Sequence, residues 1–228
     1  MKLVSNRRET PTSRTIRLAV EGDSFPYKAG QAAWIGLDRD DELTPYSIAS
    51  APEETARAGW LQFLVKVDAA RRFGAAVERL RSGANIYVSG PAGEFTFPDA
   101  PRQQEFLFVA GGTGIAPVRS MVVHALAATP APAIRLLYSA KRPDEFAYLR
   151  ELRALERERK ISLELTLTGE GDRWRYGRGR AGAAHLQRLG AGPSTMAFVC
   201  GPSAMVRDLT SALASLGLAA DQIRTEQW

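Results

Sequence analysis

The hydrophobic positions of the chain change rhythm near residue 100. Before it they fall in short, partly alternating runs. TIRLAVEG (15–22), QAAWIGLD (31–38), YSIAS (46–50), WLQFLVKVD (60–68) and ANIYVSG (84–90) are β-branched or aromatic in part, and each predicts a strand. Turn residues separate them at Gly22-Asp23, Lys28-Ala29-Gly30, Ala51-Pro52, Gly59 and Ser82-Gly83. One helix interrupts the series: ARRFGAAVERL (70–80) sets Phe73, Val77 and Leu80 at helical spacing. Many short strands with one helix predict an antiparallel β-barrel or sandwich.

PDAPRQQ (98–104) is polar, holds two prolines and reads as a linker. Beyond it strands and helices alternate. FLFVA (106–110) is continuously apolar, as a buried parallel strand must be. GIAPVRSMVVHALA (114–127) predicts a helix with Pro117 in its first turn. IRLLYSA (134–140), SLELTLT (162–168) and MAFVCG (196–201) predict further strands, and EFAYLRELRALERE (145–158) and SAMVRDLTSALASLG (203–217) further helices. Repeated βα units predict a parallel sheet covered on both faces.

Composition narrows the chemistry. At 228 residues, 45% hydrophobic and 24% charged, the chain is neither disordered nor a disulfide scaffold. A single cysteine, Cys200, excludes an intramolecular disulfide. It also excludes a cysteine-ligated iron–sulfur cluster, which takes about four thiolates, or about two in the Rieske type. His124 and His185 are the only histidines, a poor basis for a zinc enzyme. No apolar run reaches the roughly 18–20 residues of a membrane span, and MKLVSNRRET lacks a signal-peptide core. The expected address is the cytoplasm, with no membrane partner. The first 100 residues carry 13 basic and 13 acidic side chains, so the net excess of five falls entirely beyond them. It is mostly arginine, four of them between Arg173 and Arg180. This is either a solvated surface or a site for a phosphate-bearing ligand. No basic helix or zinc module accompanies it, so nucleic acid is not the expected partner.

The densest local signal is FLFVAGGTGIAP. Gly111, Gly112 and Gly114 lie between a buried strand and a helix start, where glycines let main-chain amides approach a pyrophosphate. A plain tight turn is the alternative. The next strand ends in Tyr138-Ser139-Ala140-Lys141-Arg142, where an NAD site places a carboxylate. A hydroxyl and two cations suit a 2′-phosphate better, although Asp144 and Glu145 follow closely and a solvated loop is the other reading. In a parallel sheet the strands' carboxyl ends line one crevice, which sets Gly111, Ser139, Thr168 and Cys200 along one rim. From position alone Cys200 is a small buried hydrophobe or a site residue.

Taken together the motifs resemble the ferredoxin–NADP reductase family along nearly the whole chain. TPYSIAS (44–50) is similar to its R-x-Y-S segment and GPAGEFTF (90–97) to its G-P-x-G-x-F segment. AGGTGIAP (110–117), YSAKRPDEFAYLREL (138–152) and CGP (200–202) are similar to its pyridine-nucleotide regions. The resemblance implies an antiparallel β-barrel FAD-binding domain over 1–99, then an α/β Rossmann-like parallel-sheet NAD(P)-binding domain over 104–228. It implies FAD and NADP (or NAD) as cofactors. Tyr46 would pack on the flavin, and Ser47 would sit near its N5. Thr44, Pro45, Val65, Arg71, Arg72, Phe73 and Gly74 would border the FAD. Gly111, Gly112, Thr113, Gly114, Pro117, Ser139, Arg142, Gly201 and Pro202 would border the nucleotide. Ser47, Cys200 and Glu226 would surround the reacting rings, and Trp228 would cover a flavin face.

Three positions depart from the family. Its phosphate-binding arginine is Thr44, its pyrophosphate-binding serine or threonine is Gly74, and its NADP-type arginine is Gly169. Arg71 and Arg72 at a helix start are candidate substitutes at the first two. Arg173, Arg175 or Arg178 are candidates at the third. The activity implied is electron transfer from NAD(P)H through FAD to a separate acceptor: a ferredoxin, a flavodoxin or an oxygenase component. Two alternatives remain: an NAD(P)H:flavin oxidoreductase using free flavin, and a non-enzymatic flavin-binding regulatory subunit.

Overall fold

The computed structural model describes residues 1–20, 22, 25–171 and 174–227. The first half contributes β1 (Leu3–Thr10), β2 (Ser13–Ala19), β3 (Ala32–Gly36), β4 (Thr44–Ser47), α1 (Pro52–Ala58), β5 (Trp60–Lys66), α2 (Arg72–Ala76) and β6 (Tyr87–Ala92). Among the described residues its six antiparallel strands form two three-stranded sheets, β1-β2-β5 and β4-β3-β6, rather than one closed hydrogen-bonded ring. An Ile48–Phe63 bridge joins them. Their inner faces share a core that includes Ile16, Leu18, Ile35, Phe63 and Phe73.

Two elements of this half differ from expectation. β1, LVSNRRET, buries only Leu3 and Thr10 fully, so its sequence lacks a strand's apolar face. It pairs along β2 from Leu3 to Thr10. The residues read as separate turns at Ala51-Pro52 and Gly59 are the two ends of α1. Pro52 opens the helix, Glu54 reaches back to accept the Ala51 amide at 2.9 Å, and Gly59 closes it at φ 70°. The helix expected over 70–80 is α2 followed by a 3-10 turn, Val77–Arg79, with Phe73 and Val77 fully buried.

The second half contributes β7 (Glu105–Gly111), α3 (Ile115–Ala128), β8 (Ala133–Ala140), α4 (Leu149–Arg157), β9 (Ser162–Leu167), β10 (Gly177–Arg178), α5 (Ala183–Arg188), β11 (Thr195–Gly201), α6 (Ser203–Ser215) and β12 (Ile223–Gln227). They build one six-stranded parallel sheet in the order β10-β9-β8-β7-β11-β12. β7 and β11 are buried almost throughout, because helices cover both faces. The helix expected from 145 begins only at Leu149. Glu145 is drawn away to accept the Thr10 and Thr12 hydroxyls at 3.1 and 2.7 Å, and Tyr148 takes φ 59° before the helix starts. β10, α5 and the edge strand β12 lie outside the expected elements.

An apolar seam joins the halves. Phe95 and Phe97 lie in the same core as Phe106, Phe108 and Phe198, with Phe97 4.9 Å from Phe106 and 5.5 Å from Phe198 between ring centres. Ala29, Ala49 and Leu64 of the first half belong to it as well. Among the described residues no helix is long and apolar enough to cross a membrane.

Candidate functional site

β7 ends at Gly111 and feeds α3 through a single 3-10 turn, Gly112–Gly114. Gly112 has φ 53°, a backbone that few side chains tolerate. A Cβ at Gly114 would stand 2.4 Å from the Cys200 carbonyl oxygen, so the loop lies directly on β11. Pro117 is buried in the first turn of α3. The amides of this turn sit at the head of a 14-residue helix, where unsatisfied donors and the helix dipole favour an anion. Tyr138, fully buried in β8, donates its hydroxyl to the Gly112 carbonyl at 3.2 Å and accepts the Ala147 amide at 3.0 Å. Sequence reasoning missed this brace. Its signal was a tyrosine inside an otherwise apolar buried strand, whose hydroxyl needs a partner.

Three side chains from distant segments meet beside that loop. The parallel register sets Cys200 opposite Ala110 on one side and Glu226 on the other. The Cys200 thiol donates to Glu226 Oε2 at 3.7 Å. Ser47, at the end of β4 in the other half, lies near enough to the same carboxylate to lower its pKa. Burial raises the Glu226 pKa above the ordinary 4.5, and the neighbouring Cys200 and Ser47 side chains offset this only in part. Burial also lifts the Cys200 thiol well above its usual value, and the neighbouring carboxylate adds to the shift. A cavity of about 400 Å³ opens at this point, lined by Glu94, Phe95, Arg224, Thr225 and Glu226.

Gly111 and Ser139 are paired residues of β7 and β8, and Thr168 follows β9 with its amide on the Ala140 carbonyl at 2.9 Å. The expected rim therefore forms. Gly201 abuts Gly111, since a Cβ there would be 3.3 Å from the Gly111 Cα, and Pro202 precedes α6. Arg142 is paired with Asp144 at 2.8 Å, and Arg178 donates to the Gly171 carbonyl, so both are engaged within their own loops. Arg175 is exposed. Arg173 and Trp228 lie outside the described residues. A Cβ at Gly169 would meet the Lys141 carbonyl at 2.3 Å, which explains why no arginine stands there.

In the first half Tyr46 is half-buried against Phe73, at 5.8 Å between ring centres. Burial pushes its phenol up to about 12, and the Arg71 charge pulls the other way. Pro45 is exposed, while Thr44 is buried opposite Ile35. Val65 and Phe73 are wholly in the core. A Cβ at Gly74 would fall 2.9 Å from the Lys66 carbonyl oxygen, so a serine or threonine does not fit there. Arg71 and Arg72 are both exposed, but Arg72 is bound to the buried carboxylate of Asp41. α2 spans only five residues, so its dipole adds little and Arg71 is the freer cation.

The donor set suits two cofactors. A glycine loop heading a helix fits a dinucleotide, and an aromatic–hydroxyl strand end with an adjacent arginine fits a flavin nucleotide. Antiparallel sheets followed by a parallel sheet, with a site where they meet, define a two-part nucleotide-dependent oxidoreductase. Residues 108–211 match the oxidoreductase NAD-binding domain family. Ferredoxin–NADP reductase B of Sorangium cellulosum is 33% identical over 243 residues, spanning 100% of this chain and 96% of that protein. Reductase component 2 of terephthalate 1,2-dioxygenase from a Comamonas species is 28% identical across 99% of this chain and 66% of that protein. A ferredoxin NADP+ reductase from Neisseria gonorrhoeae, solved with bound FAD and NADP, has the same fold, with a TM-score of 0.83 at 21% identity over 99% of this chain and 96% of that one. The chain belongs to the ferredoxin–NADP reductase family of FAD-dependent NAD(P)H oxidoreductases.

Proposed function

We propose that this chain oxidises NAD(P)H with FAD and passes the electrons to a separate acceptor, a ferredoxin, a flavodoxin or an oxygenase component. The observation that carries the reading is the meeting of Ser47 from the antiparallel half with Cys200 and Glu226 from the parallel half, beside the glycine loop. FAD supplies the conversion of a two-electron hydride donor into single electrons. Residues 1–99 would hold it: Tyr46 would pack on the ring, Ser47 would donate to it, and Arg71 would serve the diphosphate. Residues 104–228 hold the nucleotide, with the 111–114 amides on its pyrophosphate. Among the described residues, Lys141 and Arg175 are exposed cations that could take a 2′-phosphate. Cys200 packs as a small neutral group against the nicotinamide pocket. Glu226 keeps a proton near neutrality more readily than an ordinary carboxylate, and Ser47 bridges it to the flavin side. The names of the relatives, a ferredoxin reductase and a dioxygenase reductase component, support the acceptor class.

A second reading, release of reduced flavin as product, is favoured by buried Thr44 and by the Arg72–Asp41 pair, which together thin the phosphate site. The purified protein is examined by absorption spectrum with and without added FAD, then assayed for NADPH and NADH oxidation with an artificial acceptor. Retained FAD and turnover with the acceptor support the first reading. Turnover only with excess free flavin supports the second, and no nucleotide oxidation under either condition refutes both.

A further inference from the structure

Arg119 lies one helical turn past the glycine loop on α3, and its side chain is 6% exposed. Its five N–H groups all find acceptors. Nε donates to Glu151 Oε2 at 2.8 Å. Nη1 donates to the Ala49 carbonyl at 2.6 Å and to Glu54 Oε2 at 2.9 Å. Nη2 donates to Glu54 Oε1 at 2.9 Å and to Glu151 Oε1 at 2.7 Å. That is the full capacity of a guanidinium. The adjacent Ser120 hydroxyl donates to the Ser50 carbonyl at 2.7 Å. Glu54 in turn holds the Ala51 amide. The helix that carries the nucleotide loop therefore grips residues 49–54, which begin two positions beyond Ser47.

We propose that Arg119 is a positioning residue for hydride transfer. It fixes the strand end bearing Tyr46 and Ser47 relative to the glycine loop and Cys200, and so sets the approach of the two rings. This rests on the function proposed above. A simple strut would need charge and volume; a positioning residue needs the planar fork that bonds a carbonyl and two carboxylates at once. Lysine keeps the charge and loses the fork.

The test uses the full chain loaded with FAD, as wild type and Arg119→Lys. FAD content, the nucleotide KM and the stopped-flow rate of FAD reduction at saturating nucleotide are measured, with a 4-deuterated nucleotide as a check that hydride transfer is the step observed. Because misplacement by about 1 Å costs up to about a hundredfold, the expected result is a reduction rate at least about tenfold slower, with FAD content and KM little changed. A lowered melting temperature with a wild-type reduction rate overturns the proposal and leaves Arg119 a strut. Should Arg119→Lys not fold, Ser120→Ala removes one bond of the same grip; slower reduction supports the proposal and an unchanged rate overturns it. A wild-type protein that takes up FAD but is reduced by neither nucleotide overturns the parent reading, and this one with it.

Discussion

Replacing Gly114 by alanine adds one methyl group where the glycine loop lies directly on β11. The new Cβ would lie 2.4 Å from the Cys200 carbonyl oxygen, 2.8 Å from its carbonyl carbon and 3.1 Å from its Sγ, where ordinary contacts begin at 3.4 Å. Two of these atoms are backbone in the middle of a parallel sheet, so no side-chain rotation relieves the clash. The loop must lift from the strand by about 1 Å, or Cys200 must move within the sheet. Overpacking of this kind costs about 1–3 kcal/mol. A domain with roughly 5–15 kcal/mol of stability stays folded. A displacement of about 1 Å at a reacting site costs up to about a hundredfold in rate, or about 2.7 kcal/mol of barrier. Gly114→Ala is therefore expected to lower kcat/KM for NAD(P)H by about one to two orders of magnitude while the melting temperature falls by only several degrees. Gly192→Ala is the control, because a Cβ there meets nothing within 4 Å. Steady-state kinetics and thermal unfolding of both variants decide the matter. Wild-type kcat/KM in Gly114→Ala would refute the claim that this contact sets the site.

Arg71→Ala is expected to weaken FAD binding about ten- to a hundredfold, as loss of a charged hydrogen bond does. Arg72→Ala, which strips the partner from buried Asp41, should lower stability more than affinity, and Thr44→Arg should destabilise because that side chain is buried opposite Ile35. Titration of apoprotein with FAD separates these effects, and equal affinity losses in Arg71→Ala and Arg72→Ala would contradict the assignment. Glu226→Gln and Cys200→Ala should slow FAD reduction, lowering kcat and kcat/KM together. Wild type should show a pH–rate limb above the ordinary carboxylate value of 4.5 that Glu226→Gln lacks. Glu54 has its folded-state pKa held below 4.5, where burial, which raises it, is outweighed by Arg119. Its contribution to stability is thus fully present above 4.5 and lost as pH falls through the folded-state value. Acid unfolding of Glu54→Gln should be less steep below that pH, and an unchanged slope counts against the linkage. Lys141→Ala should narrow any preference for NADPH over NADH by about tenfold; an unchanged kcat/KM ratio removes Lys141 from the 2′-phosphate site.

The parallel half was legible because its strands are continuous apolar runs. FLFVA and MAFVCG are buried on both faces, and only neighbouring helices allow that. The glycine loop was legible because its strand–turn–helix context is local. What the sequence hid depends on partners far along the chain. β1 shows few apolar residues, and its strand character comes from pairing with β2. Pro52 and Gly59 serve equally as turn residues and as helix ends, and only Glu54 folding back on Ala51 decides between them. β12 takes its place from the edge of β11, which brings Glu226 beside Cys200. Gly74 and Gly169 stand where the family carries side chains, and the reason, a carbonyl within 3 Å of any Cβ, exists only in three dimensions. Arg119 read as one polar position on a helix, since Glu54 and Ala49 lie 65 and 70 residues away.

The burial of Cys200 bears on how the protein ages. A flavoenzyme working in air is exposed to peroxide made close to its own side chains. A thiol is oxidised through its thiolate, first to a sulfenic acid and then irreversibly. Cys200 is 1% exposed, and burial together with Glu226 keeps its thiol protonated. The carboxylate that shapes the pocket thus also shields the sulfur beside it. The chain's single cysteine should remain reduced through many turnovers, and alkylating reagents should reach it only when β11 and β12 come apart.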